Sequence, residues 1–179
     1  MQQDIVIAAT RQWLEKAVIG LNLCPFAKAV YLKDQVRFVV SAAQHLDGLL
    51  EDLDRELDFL AAASLEEVET TLLIHPTLLP DFNDFNDFMQ LAEAAVDEHD
   101  LAGVIQIASF HPKFQFADTE PDDISNYTNR APYPVLHLLR EASISKAVAS
   151  FPDTEIIYQR NIATLQGLGV AGWNGLWRS

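Results

Sequence analysis

Two histidines occupy matching positions in two similar segments. Residues 71–76 and 107–112 each run an apolar stretch directly into His-Pro, at His75 and His111. Proline cannot donate to a β-ladder and restricts the preceding residue to extended geometry, so each histidine should end a strand. Histidine titrates near neutral pH and is a common metal ligand. The pattern predicts two imidazoles at one sheet edge as general acid/base groups; alternatively, each histidine only ends its strand and binds a nearby carbonyl.

Cys24 is the only cysteine and directly precedes Pro25. A cytosolic cysteine with histidines elsewhere in the chain is a candidate nucleophile, because a histidinium favours its thiolate. Free cysteine is also among the most buried residue types, and Leu23 and Phe26 flank this one with apolar surface. Cys24 is therefore either a catalytic nucleophile or a packing residue.

Asp81 opens the stretch 81–88, in which Asp, Phe and Asn recur. Acidic residues suit the first turn of a helix because of its free amides and its dipole. Two histidines and one carboxylate also suit a divalent metal ion. The sequence leaves both interpretations open: Asp81 starts a helix, or it completes a metal site with His75 and His111.

The stretch 126–141 combines amide, guanidinium and imidazole groups around two prolines. Pro134 suits the first position of a helix, whose amino end favours anions. This arrangement predicts the wall of a pocket for a small anionic substrate. The alternative is a loop that satisfies its own backbone polar groups. The candidate substrate-binding residues are Asn126, Asn129, Arg130, His137 and Arg140.

The net charge of −14 argues against a nucleic-acid partner, because phosphates require clustered Lys and Arg. No Lys or Arg stands between Arg55 and Lys113, and five of the twelve cations lie in residues 126–179. A local excess of arginine in an acidic protein indicates either surface pairing with acidic helices or a pocket for a carboxylate or phosphate.

The length and composition are typical of one folded domain. The chain has 179 residues, of which 49% are hydrophobic and 21% charged. No apolar run reaches the ~20 residues that a membrane span requires. Residues 1–10 carry no basic region or cleavage site of a signal peptide, and one cysteine excludes an internal disulfide. We expect a cytoplasmic protein without a membrane partner.

Hydrophobic periodicity predicts a single α/β domain over residues 1–179 with a small, mostly parallel sheet of at least three strands. Residues 36–109 predict a β-α-β-α-β unit, with strands at 36–41, 69–75 and 104–109 and helices at 44–62 and 81–98. A helical N-terminus at 4–20 precedes this unit. A functional loop at 110–133 and a helical part at 134–179 follow it, with helices at 134–149 and 160–168 and a packed coil from residue 169. Residues 29–32 could instead pair with the first strand as a hairpin and make the sheet mixed.

Several segments also resemble a known family in their order along the chain. Residues 20–27, 108–112, 126–141 and 160–162 look like an uncharacterised bacterial family called domain of unknown function 1415, with Ala131 where serine is usual. This resemblance spans nearly the whole chain. It implies a cytosolic bacterial protein and assigns no activity, substrate or catalytic residue.

These observations predict an enzyme that acts on a small anionic molecule at the carboxyl ends of its strands. His75 and His111 would carry the chemistry, with Cys24 as a further nucleophile candidate. A non-catalytic acidic binding or scaffold protein is one alternative, and a divalent-metal protein is another. The sequence does not name the reaction, the substrate or the oligomeric state.

Overall fold

The computed structural model describes residues 2–151 and 153–178. Residues 1, 152 and 179, which the predicted domain and its C-terminal part include, lie outside the described residues. The chain forms one four-stranded sheet with helices packed on it, so the predicted α/β class is confirmed. The strands are β1 (Val36–Val40), β2 (Thr70–Ile74), β3 (Ile105–Phe110) and β4 (Val135–Arg140). The α-helices are α1 (Gln3–Trp13), α2 (Ala27–Leu32), α3 (Leu46–Ala62), α4 (Phe82–Glu98), α5 (Glu141–Ser150) and α6 (Thr154–Gly175).

The sheet is mixed, and the prediction of a mostly parallel sheet is wrong. The strand order is β1-β2-β4-β3. β1 and β2 pair in parallel, whereas β4 pairs antiparallel with both β2 and β3. The predicted unit of three strands running in one direction is present, but β4 lies between the second and third of them.

β4 is the strand that the sequence analysis missed. The predicted helix over 134–149 is wrong for Val135–Arg140 and correct only from Glu141 onward. A short apolar run fits one face of a helix and a buried strand equally well. Because β4 is central and both of its faces are covered, it carries apolar residues on both sides without a period of two.

Three smaller predictions are also corrected. Residues 29–32 belong to α2 and form no hairpin. The C-terminal segment is helical as far as Gly175 instead of a coil from residue 169 onward, although Gly169 interrupts α6 with a φ of 66°. The loop 110–133 contains a 3₁₀ helix at Ile124–Asn129, so part of it is ordered by local hydrogen bonds.

Alternating side chains place two separate cores on the two faces of the sheet. Leu73, Leu136 and Leu138 point to the face that α3 and α4 cover. Leu72 and Val135 point to the face that α1 and α6 cover. We call these the closed face and the open face, because helices pack across the first along its length and across the second only in part.

The N-terminal helix is irregular beside the open face. α1 continues as a π-helical segment over Leu14–Ile19, in which the amide of Gly20 donates to the carbonyl of Glu15 at 2.9 Å. Single π turns of this kind occur often at functional sites. The carboxamide of Asn161 in α6 donates to the carbonyl of Leu23 at 2.8 Å and ties the two ends of the chain together. No helix among the described residues is long and apolar enough to span a membrane.

Asp81 is the N-cap of α4. Its carboxylate accepts from the amides of Asn83 and Asp84 at 2.8 and 3.2 Å, which satisfies two donors that a helix end leaves free. The helix-start interpretation of Asp81 therefore accounts for its place in the sequence.

Asp81→Ala should lower the free energy of unfolding by about 1 kcal/mol, because it removes this cap. Asp81→Asn should retain most of the stability, since asparagine caps nearly as well as aspartate. Urea unfolding of both variants tests the assignment. An equal loss in both variants would contradict a capping role and would indicate that the carboxylate charge itself is needed.

Candidate functional sites

The structure brings His75 and His111 to the same edge of the sheet. β2 and β3 run in the same direction, so their carboxyl ends lie on one side, although β4 separates them. Two strand spacings put the backbones roughly 10 Å apart. Both rings contact Phe85 of α4, with centroid distances of 5.7 Å from His75 and 5.0 Å from His111.

Both imidazoles form hydrogen bonds with the segment between β2 and α4. Nε2 of His111 donates to the carbonyl of Leu79 at 2.9 Å, while its Nδ1 accepts from the amide of Lys113 at 3.0 Å. Nδ1 of His75 donates to the carbonyl of Leu78 at 3.3 Å. The exposed fractions are 1% for His75 and 0% for His111. The pair therefore holds the connection between β2 and α4, and neither ring is open to a substrate.

Burial also keeps this pair uncharged. It lowers the pKa of His75 to about 4 and lowers the pKa of His111 below its ordinary value. Nε2 of His75 has no hydrogen-bond partner within the described residues. In the same part of the chain, no three His, Cys, Asp or Glu side chains are grouped as a metal site requires. The proposed metal ligands His75, His111 and Asp81 are therefore not assembled, because His111 and Asp81 already use their polar atoms elsewhere.

Two of the predicted binding residues organise the loop 110–133. Oδ1 of the buried Asn126 accepts from the amide of Phe116 and the hydroxyl of Thr119, both at 2.9 Å, and its Nδ2 donates to the carbonyl of Glu120. Nδ2 of Asn129 donates to the carbonyl of Ser109 at 3.1 Å. These amides satisfy the backbone of the loop, which is the alternative that the sequence left open.

The two predicted arginines lie in different places. Arg140 donates from Nη2 to the carbonyls of Ala63 and Val68, at 3.0 and 2.8 Å, where α3 ends and β2 begins. Its position in β4 puts its side chain on the closed face, on the same side as Leu138. Arg130 borders a cleft of about 450 Å³ outside the sheet. We call this the tryptophan cleft, because Trp13, Trp173 and Trp177 border it.

A cavity of about 380 Å³ lies on the open face. We call it the sheet cavity. Its floor is formed by β2, β3 and β4, and its two walls are formed by the segment from Trp13 to Val30 and by α5. Its lining is almost wholly apolar and includes Val18, Leu72, Phe110, Ile144 and Ala147.

His137 supplies an imidazole to the sheet cavity. The hydroxyl of Thr70 donates to the carbonyl of Leu138 at 2.6 Å, so it accepts from Nε2 of His137 at 2.7 Å. Nδ1 is then an unprotonated acceptor. It has no partner in residues 2–151 and 153–178, and it is not one of the fully enclosed unpartnered atoms. His137 is one of the residues that line the sheet cavity. Burial lowers the pKa of His137 to about 4, so the ring is neutral at pH 7.

Cys24 lies half-buried in the wall of the same cavity. The structure therefore groups Cys24 with His137 and Arg140 at the sheet cavity, groups His75 with His111, and leaves Arg130 in the separate cleft. Thr70 and Trp13 are parts of these sites that the sequence analysis missed. Nothing in the sequence links Thr70 to His137, because 67 positions separate them and only the sheet register brings them together.

Comparison with known proteins identifies the family and no activity. The family described as "Protein of unknown function (DUF1415)" matches residues 5–175, so the chain belongs to it. No curated protein and no solved structure matches the chain.

Two neighbouring threonines of β2 should respond in opposite directions to the same substitution. Thr71→Val should raise the free energy of unfolding by about 1 kcal/mol, because the buried Thr71 hydroxyl has no partner among the described residues. Thr70→Val should lower it by about 1 kcal/mol, because two hydrogen bonds are lost. Thermal and urea unfolding of both variants provide the measurement. Stabilisation by Thr70→Val would contradict the assigned hydrogen bonds of the Thr70 hydroxyl.

The neutral histidines predict acid sensitivity. In the unfolded chain His75 and His137 take up protons near pH 6.5, whereas in the folded chain they do so only near pH 4. The unfolded state binds more protons in this window, so stability falls as the pH drops from 6.5 towards 4, by up to about 1.4 kcal/mol per pH unit for each histidine. His99 has the opposite effect on stability. Hydrogen bonds to Asp58 and Asp54 raise its pKa in the folded chain, so its protonation at lower pH favours the folded state.

Comparing variants isolates this effect. The loss of unfolding free energy between pH 7 and about 5 should be smaller in His137→Phe than in the wild type. Urea unfolding at several pH values gives the slopes. Identical slopes in His137→Phe and the wild type would show that His137 is not held neutral.

Proposed function

We propose that this member of the DUF1415 family binds a small, neutral, largely apolar molecule with one hydrogen-bond donor in the sheet cavity. The observation that carries the proposal is the free Nδ1 acceptor of a neutral His137 in an otherwise apolar cavity of about 380 Å³. A large apolar pocket with a few polar groups and a perturbed titratable residue is the ordinary form of a small-molecule site.

The charges around the cavity favour a neutral ligand. An anion in an apolar cavity needs a cation beside it, since an unpaired buried charge is strongly disfavoured. The guanidinium of Arg140 is directed to the closed face and bound there by two carbonyls. His137 is uncharged, and the acidic residue Glu69 borders the cavity. Arg140 also borders the cavity, but its Nη2 donates to backbone carbonyls and its Nε is fully enclosed. These groups favour a neutral ligand over the anion expected from the sequence.

The hydrogen-bonding capacity of His137 determines which polar group the ligand carries. Nδ1 can only accept, because the single ring proton is on Nε2 and is donated to Thr70. A buried acceptor without a partner costs about 1–3 kcal/mol. A hydroxyl or N–H group on the ligand recovers this energy, whereas an ether or carbonyl does not.

The cavity is also of the right size for a small molecule, and α5 covers it. Its volume lies at the small end of the roughly 300–1,000 Å³ that is typical of ligand pockets. None of the residues of α5 is fully buried, so this helix covers the cavity without filling it. The catalytic roles expected for His75 and His111 are not part of the proposal, because neither ring borders the sheet cavity or the tryptophan cleft.

Three ligands of similar size test the proposed chemistry. 2-Naphthol has a donor, 2-methoxynaphthalene has none, and 2-naphthoate has a negative charge. In isothermal titration calorimetry, naphthol should bind about tenfold more tightly than the methyl ether, and in His137→Phe these two ligands should bind equally. Naphthoate should not slow the alkylation of Cys24, which borders the sheet cavity. Protection of Cys24 by naphthoate, or an unchanged preference for naphthol in His137→Phe, would contradict the proposal.

A filled cavity tests the location. Ala147→Phe places a ring in the cavity wall and should abolish naphthol binding. Ala149→Phe adds the same ring at an exposed position of the same helix and should leave binding unchanged. Naphthol should also slow the alkylation of Cys24, the only thiol, in the wild type and not in Ala147→Phe. Equal binding by both phenylalanine variants would place the ligand elsewhere.

A further inference from the structure

The tryptophan cleft is a second site with different chemistry. All three tryptophans of the chain border it, together with Tyr127 and Arg130. Tyr127 meets Trp173 edge-on at a centroid distance of 5.2 Å, and Trp173 meets Trp177 at 5.5 Å. Several aromatic rings at one cleft provide faces and edges against which a planar ring packs favourably.

The cleft is assembled from three parts of the chain that are distant in sequence, the first being α1 with Gln12 and Trp13. Tyr127 and Arg130 belong to the loop 110–133, which Asn126 holds in place from within. Trp173 and Trp177 lie after the break at Gly169 in α6. A φ of 66° is favoured by glycine, so this residue allows the end of α6 to turn its tryptophans towards Tyr127.

Arg130 is held in one orientation at this cleft. Its guanidinium lies 4.4 Å from the centroid of the Tyr127 ring. Nε donates to the carbonyl of Phe114 at 3.2 Å, and Nη2 donates to the carbonyl of Pro121 at 2.6 Å. These bonds leave the N–H groups of Nη1 free to donate, and a guanidinium held in this way loses little side-chain entropy when it binds an anion.

No described residue neutralises the charge of Arg130. Within the part of the chain that the structure describes, no carboxylate lies within ion-pair distance of Arg130. Gln12 and Asn174 border the same cleft and supply amide groups that donate and accept.

From these contacts we infer that the tryptophan cleft binds a planar aromatic anion, whose ring packs against Trp173, Trp177 and Tyr127 and whose negative group binds Arg130. A carboxylate and a phosphate share the chemistry that Arg130 recognises. The site is independent of the sheet cavity, which takes a neutral ligand. Only Trp13 borders both.

Nuclear magnetic resonance of the ¹⁵N-labelled full chain tests the inference, because its three indole N–H signals all come from residues at the cleft. Titration with 2-naphthoate or 2-naphthyl phosphate should shift the Trp173 and Trp177 signals saturably. Comparison of the two ligands shows whether the cleft prefers a carboxylate or a phosphate. 2-Naphthol should leave these two signals unshifted, and Ala147→Phe should bind the anions as the wild type does.

Arg130→Gln should weaken binding of the preferred anion about tenfold or more, and Arg130→Lys should have an intermediate effect. Arg160→Gln is the matched control, because Arg160 lies in α6 and does not border the cleft. Binding to the wild type should also weaken as salt is raised from about 0.05 to 0.5 M. If Arg130→Gln disturbs the loop 110–133, the salt dependence of the wild type tests whether the charge of Arg130 binds the anion.

Two results would overturn the inference. The first is the absence of a saturable shift of Trp173 and Trp177 with either anion. The second is anion binding that neither salt nor Arg130→Gln weakens. Failure of naphthol to bind the sheet cavity leaves these results unaffected, since the cleft is followed through the Trp173 and Trp177 signals and through Arg130 variants, and the cavity through naphthol binding and His137 and Ala147 variants.

Discussion

The insertion of β4 between β2 and β3 is the constraint on which the rest of the structure depends. β4 pairs antiparallel with both strands over five or six residues, so a single segment completes two ladders. A central strand has no free backbone donors or acceptors along either edge, which fixes its register strongly. That register decides on which face each side chain of β4 lies. It directs His137 to the open face and Arg140 to the closed face, although only three positions separate them.

The two faces of the sheet consequently have different roles. On the closed face α3 and α4 pack along the strands, and His75, His111 and Phe85 form part of a continuous buried core. On this face the imidazoles form hydrogen bonds with backbone carbonyls in place of water. These bonds explain why the fold can bury two histidines almost completely. On the open face α5 follows β4 directly and buries none of its residues completely, so the sheet beneath it is not fully packed. The sheet cavity is the direct result of this difference.

Charge separates the two proposed sites although Trp13 borders both. In the sheet cavity the one candidate cation has its guanidinium on the opposite face, and the imidazole is neutral because it is buried. In the tryptophan cleft a guanidinium is fixed by two carbonyls and no described carboxylate pairs with it. The sheet cavity therefore offers the neutral acceptor of His137. The tryptophan cleft offers the guanidinium of Arg130, with which no described carboxylate pairs.

Local patterns predicted the elements whose identity depends only on neighbouring residues. The N-terminal helix, α3, α4 and the first three strands lie within a few residues of their expected positions, because leucine spacing, a capping aspartate and His-Pro strand ends act over a few positions. The sequence also predicted that His75 and His111 end their strands at one edge of the sheet. It could not determine that 135–140 is a strand, because that apolar run suits a helix equally well until β2 and β3 are present on either side. Only the tertiary structure decided that His75 and His111 are buried, that His137 bonds Thr70 and that no described carboxylate pairs with Arg130. Each of these facts depends on contacts between residues far apart in the chain, and no local preference encodes them.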